Sequence, residues 1–146
     1  MPTQTFIMGK DAKIYQGAAE AELSVLTEMS NVKDVTLTLE AGEADVSTRA
    51  NAGWRATAAT LRECSAEFEM VWKPGDAGFD AIKTAFLTGG TIELAVLDQA
   101  REATGAQGPK GSFAITSFTR NEALEEAIKV SVKAKLSVFD EWVEIA

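Results

Sequence analysis

The chain has 146 residues, of which 46% are hydrophobic, with one cysteine, no histidine and a formal net charge of −8 from 14 basic and 22 acidic residues. That length and apolar share suit one globular domain with its own core, while a lone cysteine excludes an internal disulfide and the lack of histidine excludes the usual zinc, haem and copper ligand sets. The acidic balance argues against binding that works by neutralising nucleic-acid phosphates.

At the N-terminus, "MPTQTFIMGKD" lacks a basic region followed by an apolar run, and no stretch reaches the ~20 apolar residues needed to span a bilayer. Neither a signal peptide nor a membrane-embedded segment is expected, and assembly in the cytosol is the natural reading. A weak strand is predicted in "DAKIYQG" around Ile14 and Tyr15, and a clearer one in "KDVTLTLE" with Val35, Leu37 and Leu39 on one side. The stretch from about residue 40 to 60, "EAGEADVSTRANAGWRATAAT", is rich in small residues and only partly strand-like. A segment of that length outside the regular pattern of a compact domain is usually functional or mobile. It carries Arg49, Trp54 and Arg55 within "TRANAGWRA", and Trp and Arg are the residues most enriched among interface hot spots.

The strongest strand signal is "RECSAEFEMVWK". Cys64, Ala66, Phe68, Met70 and Trp72 alternate there with Glu63, Ser65, Glu67, Glu69 and Val71, which buries one face and wets the other. "KPGDAGFDAIKTAFLTGG" then reads as one amphipathic helix: Asp76 caps it, Phe79, Ile82, Phe86 and Leu87 form its stripe, and Gly89-Gly90 stops it. Strands follow in "TIELAVLD" (Ile92, Leu94, Val96) and "GSFAITSFTR" (Phe113, Ile115), joined by the Gly-rich loop "REATGAQGPKG". In "AIKVSVKAKLS", Ile128, Val130, Val132, Ala134 and Leu136 alternate with Lys129, Ser131, Lys133 and Lys135. Its wet face is basic where that of the earlier strand is acidic, so adjacency of the two would create cross-strand Glu–Lys pairs that help fix register. The C-terminal "VFDEWVEIA", residues 138–146, presents Phe139, Trp142, Val143 and Ile145, apolar groups that need a partner within the molecule or outside it.

Little in this inventory supports catalysis. There is no histidine base and no G-x-S-x-G elbow. "GDAGFD" and "GAQGPKG" match neither phosphate-binding fingerprint and read as turns, and "EAGEAD" lacks the spacing of a calcium loop. Glu67 and Glu69 read as a solvated strand face, and Cys64, on the buried side of its strand, reads as a small hydrophobe. No catalytic residue, cofactor or metal is expected, which leaves association as the function.

Four stretches together, "MGKDAKIY", "VTLTLEAGEADVSTRANAGWRATAATL", "ECSAEFEMVW" and "FAITSFTRNEALEEAIKVSVKAKLS", resemble the tail tube (major tail) proteins of long-tailed bacteriophages over nearly the whole chain, and the tube proteins of contractile injection and type VI secretion systems are similar. The resemblance implies a mainly β fold: one tail tube domain spanning residues 1–146, an antiparallel β-sandwich or barrel flanked by one α-helix. It implies that six copies join edge to edge into a ring and that rings stack into a hollow tube in the virion tail, assembled in the host cytoplasm. The tape-measure protein and then DNA would occupy the lumen without specific binding, and tail-tip, baseplate and terminator proteins would be further partners.

Within that picture the long segment at about 40–60 becomes a projecting arm, with Arg49, Trp54 and Arg55 in an inter-ring contact. Glu63, Glu67 and Glu69 become lumen-facing candidates, where negative charge repels a polyanion and lets it slide. Lys129, Lys133 and Lys135 would make the wall mixed if they share that face. Phe139 and Trp142 are candidates for a subunit interface. The competing expectation is a β-sandwich recognition module for a sugar or protein, with Trp54 and Tyr15 as stacking platforms.

Overall fold

The computed structural model describes residues 9–122 and 124–145. Seven strands and one helix account for the architecture: β1 (Lys13–Gly17), β2 (Thr27–Glu28), β3 (Val32–Asp45), β4 (Thr57–Val71), α1 (Ala77–Thr88), β5 (Thr91–Leu97), β6 (Gln107–Asn121) and β7 (Lys129–Glu144). The strands form one antiparallel sheet in the order β2-β1-β5-β6-β7-β4-β3. It is a mainly β fold with one flanking helix, as expected, and the sheet stays open at its β2 and β3 edges.

Alternation along the strands builds the main core. Cys64, Ala66, Phe68 and Met70 of β4 and Val130, Val132 and Ala134 of β7 point inward, where they meet Ile14 of β1, Ile92, Leu94 and Val96 of β5 and Phe113 and Ile115 of β6. Strands far apart in the sheet order share this core, so the sheet curls over it. Three register shifts between β6 and β7 accompany the curl, because each bulge adds local bend and twist.

Helix α1 fills the open side against β6, β5 and β1. Asp76 accepts the Phe79 N–H at 3.1 Å and caps the first turn, and Gly89 ends the helix in the left-handed conformation at φ 72°. Phe79, Ile82 and Ala85 form the buried stripe, with the Phe79 ring 4.8 Å from that of Trp72. The expected continuation through Phe86 and Leu87 is not found: Leu87 faces solvent, and Phe86 lies half out of the core, stacked on Phe118. Spacing of three from Phe79 and Ile82 reaches Ala85, and its small side chain lets the helix settle on the sheet.

A second, smaller core lies on the other face of β1 and β5. Tyr15, Ala95 and Leu97 pack there with Leu26 and with Val143 near the chain end. Strand β5 is therefore buried on both faces, which explains why "IELAVL" is a nearly continuous apolar run. Close approach also constrains β6: a Cβ on Gly108 would sit 1.7 Å from the Val96 carbonyl oxygen, so only glycine fits.

Candidate assembly surfaces

The segment at 40–60 is the distal half of the β3–β4 hairpin. Strand β4 pairs with β7 from Val71↔Lys129 to Ser65↔Lys135, so from Thr57 to Cys64 it pairs only with β3 and the two run on as a ribbon. The tip is built by local hydrogen bonds. Asp45 Oδ1 accepts the Ser47 N–H at 2.9 Å, and the Ser47 side chain first, with this backbone N–H second, holds the carboxyl below its ordinary pKa. Ser47 Oγ accepts the Ala56 N–H at 2.7 Å, and the Thr48 hydroxyl and Asn51 carbonyl cap a short turn over Arg49–Asn51. Ala52 and Gly53 then pass through the left-handed region at φ 52° and 86° and bring the chain round to Trp54, whose N–H donates to Asn51 O.

The tip therefore presents its side chains outward. Trp54 is 80% exposed, and Arg49 and Arg55 are exposed and form no ion pair among the described residues. The tip thus holds an exposed indole between two exposed guanidinium groups, residue types enriched among interface hot spots. Leu39 and Leu61 on the ribbon below are exposed as well, and an isolated two-stranded ribbon is marginal in water.

The lumen-facing candidates lie together on the wet face of β4. β7 is the neighbour of β4, so the acidic and basic faces adjoin: Glu67 is opposite Lys133 with their charged atoms 3.7 Å apart, and Glu69 reaches Lys129 at 3.7 Å. Lys135 stands opposite Ser65, and Glu63 faces Glu40 of β3. Thr36 and Thr38 extend this polar face across β3, and Ser117 and Thr119 extend it across β6. All three glutamates and all three lysines thus share one face, which is mixed in sign. Where β4 and β7 part, a groove of 670 Å³ opens between Glu63 and Lys135, with Cys64, Leu136 and Phe139 among its lining. Burial raises the pKa of the Cys64 thiol, consistent with an inert hydrophobe.

The C-terminal candidates divide by side. β7 runs to Glu144 alongside β6; Phe139 and Trp142 remain half exposed, with the Trp142 indole N–H donating to Gln107 Oε1 at 3.0 Å, while Val143 enters the second core. Tyr15 does not serve as a stacking platform. It is buried, its hydroxyl accepts the Arg101 N–H at 3.0 Å, and the Arg101 guanidinium covers its ring at 4.9 Å. The sequence pattern at β1 gave no sign of Arg101, which lies 86 residues away.

One cluster escaped sequence reasoning altogether. Glu93 of β5 and Lys110 of β6 are both buried and pair at 2.9 Å, and Lys110 also contacts Asp140 of β7. Glu93 Oε1 accepts the Ser112 hydroxyl at 3.1 Å and the Glu20 N–H at 3.0 Å. Burial works to lower the Lys110 pKa, but the hydrogen bonds its ammonium donates to Asp140 and Glu93, with their negative charges, outweigh it and hold the ammonium above its ordinary value. The available signal was a glutamate inside a run too apolar to have a wet face.

The family model described as phage tail tube protein matches residues 7–138. The chain belongs to this family. A search of curated proteins found no match. Among solved structures, this tail tube protein is similar to the tail of an empty gene transfer agent particle refined with C6 symmetry, at a TM-score of 0.71 and 20% identity over 95% of this chain and 98% of that one. It is similar to the SPP1 tail tube, at a TM-score of 0.71 and 23% identity over 96% and 81%. It also shares its fold with a chain of the six-fold symmetrised anti-feeding prophage baseplate, at 0.57 and 6% over 98% and 96%. The family is structural rather than enzymatic, and its members build the tube of a virion tail.

Proposed function

We propose that six copies of this tail tube protein close edge to edge into a ring, and that rings stack into the hollow conduit through which DNA leaves the particle. The observation that carries the proposal is a pair of bare edges. β3 is the outer strand of the sheet along its 14 residues, and pairing of β5 with β6 ends at Thr91↔Ala114, which leaves Ile115–Asn121 of β6 bonded to β7 alone. The four long strands β6-β7-β4-β3 alternate in direction, so β3 of one copy meets β6 of the next antiparallel and the alternation continues round the ring. An edge left open invites uncontrolled pairing; closure covers both of these long edges and stops growth in that direction.

One face of those four strands is the core, so the polar face bearing Glu63, Glu67, Glu69, Lys129, Lys133 and Lys135 becomes the inner wall. Its Glu–Lys pairs neutralise one another locally, and a wall without a basic excess gives a passing polyanion nothing to bind. The tape-measure protein occupies the lumen before DNA does. The hairpin tip, with Arg49, Trp54 and Arg55, reaches the adjoining ring; Phe139 and Trp142 meet a neighbouring subunit, or a tail-tip or terminator protein at the ends. Assembly takes place in the host cytoplasm.

Electron microscopy of the purified protein at high concentration, beside its mass in solution, tests this. Rings of six or tubes with a central channel are expected, alone or after addition of a tail-tip initiator. A protein that stays monomeric in both conditions would overturn it.

A further inference from the structure

The buried Lys110 cluster has no part in these surfaces. Lys110 on β6 is opposite Glu141, and Gly111 is opposite Phe139, so Asp140 is the extra residue of a bulge that turns its carboxyl toward Lys110. Nζ touches Asp140 Oδ2 and lies 2.9 Å from Glu93 Oε2. An amine and two carboxyl groups therefore converge on one point. Glu93 is held in place from behind by Ser112 and by the Glu20 N–H. Asp140 is half exposed on a depression beside Glu20 and Leu23, which gives a small leaving molecule a way out.

We propose that this is a self-modifying site, at which Lys110 Nζ and Asp140 Cγ condense to an isopeptide bond that ties β6 to β7. Although the two carboxylates favour the ammonium, the direct contact lets Lys110 pass one proton to the Asp140 carboxylate in a minor fraction of molecules, giving there a neutral amine and a carboxylic acid. The nitrogen lone pair attacks Cγ while Glu93 takes the second proton from nitrogen. Glu93 then returns that proton to the departing hydroxyl, water leaves, and the amide remains with its N–H donated to the Glu93 carboxylate. No oxidant or co-reactant is required. Contact drives an otherwise unfavourable condensation: the groups are held together, which replaces a bimolecular step by an intramolecular one, and in the product the Glu93 carboxylate keeps the Ser112 hydroxyl and the Glu20 N–H as donors beside the new amide N–H. Glu93 touches the reacting nitrogen and is the catalytic residue; Ser112 positions it.

The proposal goes beyond the tube function and is tested on the full-length protein in any state of assembly. Mass spectrometry of the denatured, reduced chain is expected to find it lighter than its sequence by one water. A tryptic digest should show the Lys110 and Asp140 peptides joined, with no cleavage after Lys110. The isosteric Glu93→Gln variant and Asp140→Ala, altered at a half-exposed position, should fold with a cooperative melt and keep the full mass. A folded wild-type protein of full mass at equilibrium overturns the bond, as does a missing water that persists in Asp140→Ala. A Glu93→Gln variant that still cross-links overturns the role given to Glu93.

Discussion

Replacing Trp54 by alanine should separate stability of the subunit from stability of the proposed stack. The side chain is 80% exposed, and substitutions at such positions change folding stability by about 0.5 kcal/mol at most. A tryptophan offers about 150–250 Å² for burial; at 80% exposure, roughly 120–200 Å² remains for a partner to cover. At ~25 cal/mol per Å² that is about 3–5 kcal/mol per contact as an upper estimate. One factor of ten accompanies each ~1.4 kcal/mol, so the concentration needed for tube growth should rise by about two to three and a half orders of magnitude. Sedimentation of polymer against total protein gives that concentration, and urea titration of the monomer gives its midpoint. Arg55→Ala combined with Trp54→Ala should deepen the first effect and leave the second alone. Tubes at the wild-type threshold would refute the contact, and a clear fall in the urea midpoint would mean that the indole packs on its own subunit.

Two further substitutions probe the sheet. Glu67→Lys puts two ammonium groups opposite each other across β4 and β7 and should cost about 0.2–1 kcal/mol, with Glu67→Lys/Lys133→Glu restoring the urea midpoint; a swap that recovers nothing would show the pair to be inert. Gly108→Ala drives a methyl group into the Val96 carbonyl oxygen, 1.7 Å from the ideal Cβ, and should destabilise by about 3 kcal/mol or more. A Gly108→Ala protein that melts at the wild-type temperature would contradict the close crossing of β5 and β6.

What the sequence made legible was whatever repeats locally. The alternation in "RECSAEFEMVWK" and "AIKVSVKAKLS" identified the buried faces of β4 and β7, while their adjacency, which the sequence left open, is shown by the structure, and with it the cross-strand Glu–Lys pairs form. The helix was located by its cap and its glycine stop, but its stripe was misjudged at Phe86 and Leu87, because periodicity assigns a face and cannot tell where a tilted helix leaves the sheet. Tyr15 was misread as an available platform since its cover, Arg101, comes from a loop remote in sequence. Lys110 and Asp140 were missed for the same reason: each is unremarkable in its own segment, Glu93 alone stands out in an apolar run, and only the pairing of β5 with β6 and the bulge in β7 bring the three together.

In the proposed ring, the edge that closes it must also keep a free subunit from joining the wrong neighbour, and β3 carries features suited to both tasks. Its pairing with β4 is interrupted between Lys33 and Thr36 and again between Ala41 and Glu43, with Asp34 in the left-handed region at φ 51°. Lys33, Asp34, Glu40, Glu43 and Asp45 put charges of both signs along it. Irregular, charged edges resist pairing with an arbitrary flat strand. A partner edge must then match those interruptions, and Ile115–Asn121 of β6 follows a register shift of its own between Ile115 and Ser117. In the proposed assembly, specific closure and resistance to stray pairing thus follow from the same irregularities, while the hairpin tip, built by its own short-range hydrogen bonds, is the surface we propose a second ring would cover.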